Sequence, residues 1–156
     1  MKKLILAILF IVYANASDTY KITYGSMTLG NIKNMDTIKD GYLVAVPSSY
    51  WTKLILGFDK FILYQNNKKP NTKGNVKYKK DKYMLLTVIY NLSKDIKSQI
   101  IKKDNRILAI NCNGLKCNYI RTKENSKEKY RGHIYFDKNH KLSEICDNKS
   151  EICIKK

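Results

Sequence analysis

The chain has 156 residues, and its 30 lysines and arginines against 13 aspartates and glutamates give a formal charge of +17. That length leaves room for one ordinary domain with its own core and excludes a multidomain array. The charge favours anionic partners through long-range attraction. Only Arg106, Arg121 and Arg131 are arginines, and the lysines come with abundant asparagine and isoleucine. An AT-rich genome writes such a composition onto any solvated surface, so the charge has two readings: base-composition bias and a selected basic face.

The first residues are tripartite. Lys2 and Lys3 precede an apolar run from Leu4 to Tyr13, and Ala14-Asn15-Ala16 forms a small-residue site before Ser17. This pattern predicts a secretory signal peptide, residues 1–16, cleaved after Ala16. Its ten apolar residues fall well short of the roughly 20 a membrane-spanning helix needs. The expected mature chain, residues 17–156, is a single β-rich periplasmic domain, exported and soluble, with no stable membrane span. Export argues against DNA or RNA as the partner.

Tyr20, Ile22 and Tyr24 alternate with Lys21 and Thr23, the period of a half-buried strand. Gly25 permits a turn before a second strand over Met27–Ile32. Gly41–Val46 reads as a third strand closed by Pro47. Ser48 and Ser49 are candidate caps for a short helix through Trp51, Leu54 and Ile55, ended by Gly57. Phe58–Tyr64 reads as a strand, 66–75 as an exposed loop with turn-forming Pro70 and Gly74, and Val76–Tyr78 as a short strand. Tyr83–Leu92 is long enough for helix or strand. Leu85, Val88, Ile89 and Leu92 fall at helical spacing, which favours helix. From Gln99 onward the pattern is hairpins: Ile100-Ile101 and Arg106–Ile110 around Asp104-Asn105, then Cys117–Arg121, a charged loop over Thr122–Lys129, and strands at Gly132–Phe136, Leu142–Cys146 and Ile152–Ile154. The expected class is α+β, mainly β: an antiparallel curved sheet or open barrel built from hairpins, with one or two helices.

Four cysteines, Cys112, Cys117, Cys146 and Cys153, all lie in the last third of the chain. An even count in an exported domain predicts two disulfides. Three pairings are formally open, and hairpin geometry favours the local one. Gly114-Leu115 forms a two-residue turn that sets Cys112 opposite Cys117 in a non-hydrogen-bonded pair, and glycine at the first central position suits a type II′ turn. The polar residues between Cys146 and Cys153 make the same case for a second local bridge. Redox catalysis needs the closer Cys-x-x-Cys spacing, and a four-thiolate zinc site competes poorly with oxidation. No metal or other cofactor is expected.

Glycine-rich phosphate loops, His-Glu-x-x-His and Gly-x-Ser-x-Gly are absent from the sequence. Ser126-Lys127-Glu128-Lys129 matches Ser-x-x-Lys but sits in a charge run. His133 and His140, the two histidines, read as structural or surface residues, so the expectation is a protein that is not an enzyme. Tyr20, Tyr24, Tyr42, Tyr50, Trp51, Phe58, Phe61 and Tyr64 can either fill a tyrosine-rich β core or line one face of a curved sheet as a concave apolar site. Lys68, Lys69, Lys73, Lys77, Lys79, Lys80 and Lys82 would give that site a cationic rim, or simply solvate loops and an edge strand. The candidate ligand-binding set is Tyr50, Trp51, Phe61, Tyr64, Lys68, Lys69, Lys79 and Lys80.

Tyr20-Lys-Ile-Thr-Tyr-Gly25, Leu29-Gly30, Tyr50–Gly57 ahead of Phe61-Ile-Leu-Tyr64, and Asp81–Leu92 together resemble the domain-of-unknown-function 3108 family of exported bacterial envelope proteins. The resemblance implies a β-rich envelope domain of Gram-negative bacteria with no established catalytic residue to carry over. This chain departs from the family pattern in a shortened middle and in its four cysteines. The functional expectation is a non-enzymatic periplasmic protein that binds an anionic or amphiphilic envelope component, such as an anionic lipid or glycolipid. The alternative is an accessory protein that docks on another envelope protein through its basic face or a strand edge.

Overall fold

The computed structural model describes residues 19–65, 73–78, 84–103 and 105–156. The signal segment, Lys68, Lys69, Lys79, Lys80 and Lys82 lie outside the described residues. Within them the chain forms one open sheet of eleven strands, ordered in sequence as β1 (Tyr20–Tyr24), β2 (Met27–Ile32), β3 (Tyr42–Pro47), α1 (Tyr50–Leu56), β4 (Lys60–Gln65), β5 (Val76–Tyr78), α2 (Met84–Leu92), β6 (Gln99–Lys103), β7 (Arg106–Asn113), β8 (Lys116–Lys123), β9 (Lys129–Phe136), β10 (Leu142–Asp147) and β11 (Ile152–Lys155). A short 3₁₀ turn, Met35–Ile38, capped by the Asn34 side chain, joins β2 to β3.

The sheet order is β5-β4-β3-β2-β1-β11-β10-β9-β8-β7-β6. The first and last strands therefore meet at mid-sheet, Ile22 opposite Ile154, and stitch an N-terminal run of strands to a C-terminal meander. The curved, mainly β class expected from the sequence holds, and the sheet stays open, ended by β5 and β6. One correction concerns direction: the sheet is not wholly antiparallel, because β5 pairs parallel to β4, Lys60 opposite Val76.

Local chemistry accounts for the elements. Ser49 accepts from the Thr52 backbone N–H while the Thr52 hydroxyl accepts from the Ser49 N–H, a capping box that starts α1, and Gly57 ends it. On α2, Leu85, Val88, Ile89 and Leu92 are all buried, which is why the apolar run takes the helical option. Gly114, at φ 58°, makes the two-residue turn that Asn113 and Lys116 close. The charged loop expected over Thr122–Lys129 shrinks, because Thr122 pairs with Lys129 and extends both strands. Pairing also delays β4 to Lys60, since Asp59 is held by Asn75, donating its backbone N–H to the Asn75 carbonyl and accepting from the Asn75 N–H.

Both local disulfides form, Cys112–Cys117 and Cys146–Cys153. Each joins residues directly opposite in a hairpin. They occupy opposite faces: Cys117 pairs with Ile134, which pairs with Ile145, whereas Cys146 pairs with His133, and adjacent residues of a strand point to opposite sides. The core lies on the Ile134 face, where Leu108, Ile110, Cys117, Phe136, Ile145 and Ile154 meet the buried side of α2. No buried polar or charged residue interrupts it among the described residues.

Candidate binding cleft

Beside α2 the core face is not fully filled. An apolar cavity of about 200 Å³ lies between β1, β2, β3, β4 and β11, walled by Ile22, Leu29, Ala45, Pro47, Leu63 and Leu86. Strand alternation and pairing set Ile22, Ala45 and Pro47 on one face, and α2 supplies Leu86. Leu56, the last residue of α1, and the stacked pair Phe58 and Phe61, ring centroids 5.4 Å apart, form its outer wall. The Lys77 ammonium lies 5.8 Å from the Phe58 ring centroid, a cation on the aromatic margin.

A second cavity of about 300 Å³ adjoins the first and shares Leu86, Ile152 and Ile154 with it. Its other wall is polar and aromatic: Tyr119, Arg121, Tyr130, Asp147 and Ser150. The Arg121 guanidinium lies 4.8 Å from the Tyr130 ring centroid. Those two residues also line a third cavity of about 290 Å³ with Arg106, Lys123, Ser126 and Glu128. The three spaces thus run from apolar to strongly basic.

Tyr119 fixes the floor of the polar part. Its hydroxyl donates to the Cys146 carbonyl at 3.2 Å and lies 3.4 Å from Asp147 Oδ2. Burial, reinforced by the negative charge of Asp147, pushes the phenol well above its ordinary value of 10.0. It stays protonated and remains a donor. The other oxygen of Asp147 accepts from the Lys149 and Ser150 backbone N–H groups and from the Ser150 hydroxyl, which shapes the β10–β11 loop. Opposite Tyr119 is Gly132. A Cβ there would sit 1.9 Å from the Cys146 carbonyl oxygen and 2.5 Å from the Tyr119 hydroxyl, so only glycine lets the phenol lie across the strand.

The sequence-derived binding set divides. Phe61 lines the apolar cavity. Tyr64 packs against the core. Tyr50 and Trp51 stand outside the cleft, exposed on α1, because the helix turns Leu56 inward instead. Lys68, Lys69, Lys79 and Lys80 lie outside the described residues. Sequence reasoning did not single out Tyr119, Arg121, Tyr130 or Asp147 for this site. The alternation of Tyr119 with Arg121 was a legible signal that they share a face, but nothing in sequence spacing reports that the β10–β11 loop folds back beside them.

A separate polar cluster occupies the other face of the sheet. His133 Nε2 is 3.0 Å from Glu144 Oε1, the His133 ring stacks on Tyr135 at 4.5 Å, and Lys155 Nζ is 3.5 Å from the same carboxylate oxygen. The hydrogen bond with His133, aided by the charge of Lys155, holds the Glu144 carboxyl below its ordinary value. Cys146 Sγ lies 3.1 Å from Glu144, but it is bonded to Cys153 and offers no thiolate. The cluster therefore supplies one imidazole and one carboxylate on an open strand face, fewer than the three or four protein ligands a zinc site uses.

Among the described residues, no helix is long and apolar enough to cross a membrane. No family model matches the chain, and no curated protein and no solved structure matches it.

Proposed function

We propose that this chain is an exported, non-enzymatic binding protein for an anionic amphiphile of the cell envelope. The apolar tail would occupy the cavity between Leu29, Phe61 and Leu86, and the headgroup would meet Arg121 and Tyr130. The observation that carries this reading is the junction of an almost wholly apolar space with a basic, aromatic one across three shared residues, Leu86, Ile152 and Ile154. Burying an acyl chain in the first space gains about 25 cal/mol per Å² of apolar surface. A guanidinium facing the second offers a fork of donors to a carboxylate or phosphate. The joined volume falls near the lower end of the roughly 300–1,000 Å³ typical of small-molecule sites.

Export draws support from the signal-like first segment and from two disulfides, which persist in oxidising compartments such as the periplasm. The resemblance to exported envelope proteins points the same way. Docking on another protein through a strand edge is the weaker alternative. The exposed edge strand β6 carries Lys102 and Lys103, and lysines on an edge discourage strand addition.

Displacement of a fluorescent fatty acid from the oxidised protein tests the reading. Ile152 lines both spaces and is 39% exposed, so Ile152→Trp narrows the cleft with little cost to folding. Probe binding should fall by about tenfold or more in that variant, matching the loss of one apolar side chain's worth of burial, roughly 1.5–3 kcal/mol. Parent protein that takes up no probe, or a variant that binds like the parent, would refute the proposal.

A further inference from the structure

The antiparallel register brings particular connections to one end of the sheet. Tyr24 at the close of β1 sits opposite Ile152 at the start of β11, the chain leaving β3 runs on past Gly30 toward the start of β2, Ser48 donating to the Leu29 and Thr28 carbonyls, and Thr122 near the close of β8 sits opposite Lys129 at the start of β9. The β1–β2 turn, the whole β3–α1–β4 connection, and the β10–β11 and β8–β9 loops therefore share that end. Most of the large apolar side chains that remain exposed are there. Tyr24 and Met27 flank the β1–β2 turn, and Tyr50, Trp51, Leu54 and Ile55 project from α1, Trp51 at 72% and Ile55 at 79% exposure. None of the seven residues of α1 is buried. Only Leu56, at the foot of the helix, turns into the apolar cavity, next to Phe58.

The same end is basic. Arg106, Lys123 and Lys129 stand at strand ends there. Two of the acids at that end are already matched by lysines, Asp59 by Lys53 and Glu128 by Lys149.

We infer that this end of the sheet docks on an anionic bilayer surface, with α1 as the inserting element. The inference rests on the amphiphile-binding reading, and it supplies the route by which a lipid tail reaches the cavity. A bilayer offers both things this surface asks for, a negative surface that attracts lysine and arginine and an apolar layer for the side chains beneath it. Tryptophan and tyrosine are the side chains that settle at that boundary. A second copy of the chain fits less well, because it would bring the same positive charge against this end. Docking through α1 sets the cavity wall formed by Leu56 and Phe58 against the membrane.

Trp51 is the single tryptophan of the chain, so its emission reports insertion directly. The oxidised protein is mixed with phosphatidylcholine vesicles, with or without phosphatidylglycerol, and followed by emission and co-sedimentation. The expected result is a blue shift and binding with the anionic vesicles only, weakening as salt is added. Leu54→Ser/Ile55→Ser, which leaves both Trp51 and the cavity lining in place, should lower partitioning by about tenfold or more and leave fatty-acid probe binding in solution as in the parent. Unchanged Trp51 emission with anionic vesicles, equal binding by the variant, or a dimer or protein complex that the variant dissolves in place of vesicle binding would each overturn it. Vesicle binding by a protein that takes up no probe would support the docking surface while removing the amphiphile reading, so the two can fail separately.

Discussion

At the scale of single residues, the tightest constraint is the meeting of Tyr119, Gly132 and the Cys146 carbonyl. A methyl group at 132 would lie 1.9 Å from that oxygen, and neither strand can yield without breaking its ladder. Gly132→Ala should cost roughly 1–3 kcal/mol in urea unfolding, and Tyr119→Phe, which removes the hydroxyl and its contacts with the Cys146 carbonyl and Asp147, about 1 kcal/mol. If Gly132→Ala unfolds at the parent midpoint, the close approach is not a constraint. Titration gives these residues a second signature. The Tyr119 phenol is raised above 10.0 by burial, so its contribution is complete below the unfolded value and is lost as pH climbs through the folded one. Thermal stability should therefore decline above about pH 10, and less steeply in Tyr119→Phe. Glu144 is displaced in the other direction, its folded value held below 4.5 chiefly by His133. Its contribution is present above 4.5 and is lost as pH falls through the folded value, so Glu144→Gln should flatten the acid limb of a melting-temperature profile. An alkaline or acid limb identical in parent and variant would count against the corresponding contact.

At the scale of elements, the two disulfides close hairpins with sequence separations of 5 and 7. Such short loops remove limited entropy from the unfolded chain, so each bridge should contribute roughly 2 kcal/mol. Replacing Cys146 and Cys153 by serine should lower the midpoint of denaturation while leaving the β-rich circular dichroism spectrum in place. A spectrum of an unfolded chain would mean that the hairpin does not form without its bridge. These elements were legible beforehand for a local reason: turn residues and alternation are written in consecutive positions, and Gly114 between facing cysteines fixes a register by itself. The same holds for α1, whose Ser49 cap and Gly57 stop lie within the segment they bound. Legibility failed where contacts are long-range. The parallel pairing of β5 with β4 and the meeting of β1 with β11 leave no mark in the adjacent residues. Aromatic content was equally silent about direction: Phe61 faces the cavity, whereas Tyr50 and Trp51 face solvent, because the helical turn that points Leu56 inward must carry its neighbours outward.

At the scale of the whole molecule, the strong positive charge, which persists when Lys2 and Lys3 leave with the signal segment, and the graded cleft belong to one proposed account, in which attraction gathers anionic amphiphiles and the sheet interior sorts tail from headgroup. In the proposed account that sorting turns on Arg121, the cationic residue that, with Tyr130, lines both the polar and the basic spaces. Arg121→Gln should weaken a fatty acid by about tenfold, consistent with a charge-assisted hydrogen bond of roughly 1.5–3 kcal/mol, and leave a neutral alcohol of equal chain length nearly unaffected. Equal losses for the two ligands would remove Arg121 from the headgroup role. The central claim is tested most directly by native mass spectrometry of the oxidised protein purified without detergent from the compartment to which it is delivered. The account predicts a chain beginning at Ser17, four hydrogens lighter than its reduced form because two disulfides are closed, and carrying an anionic adduct of lipid size that Ile152→Trp depletes. A chain recovered without any adduct, which also takes up no fatty acid when one is supplied, would contradict it.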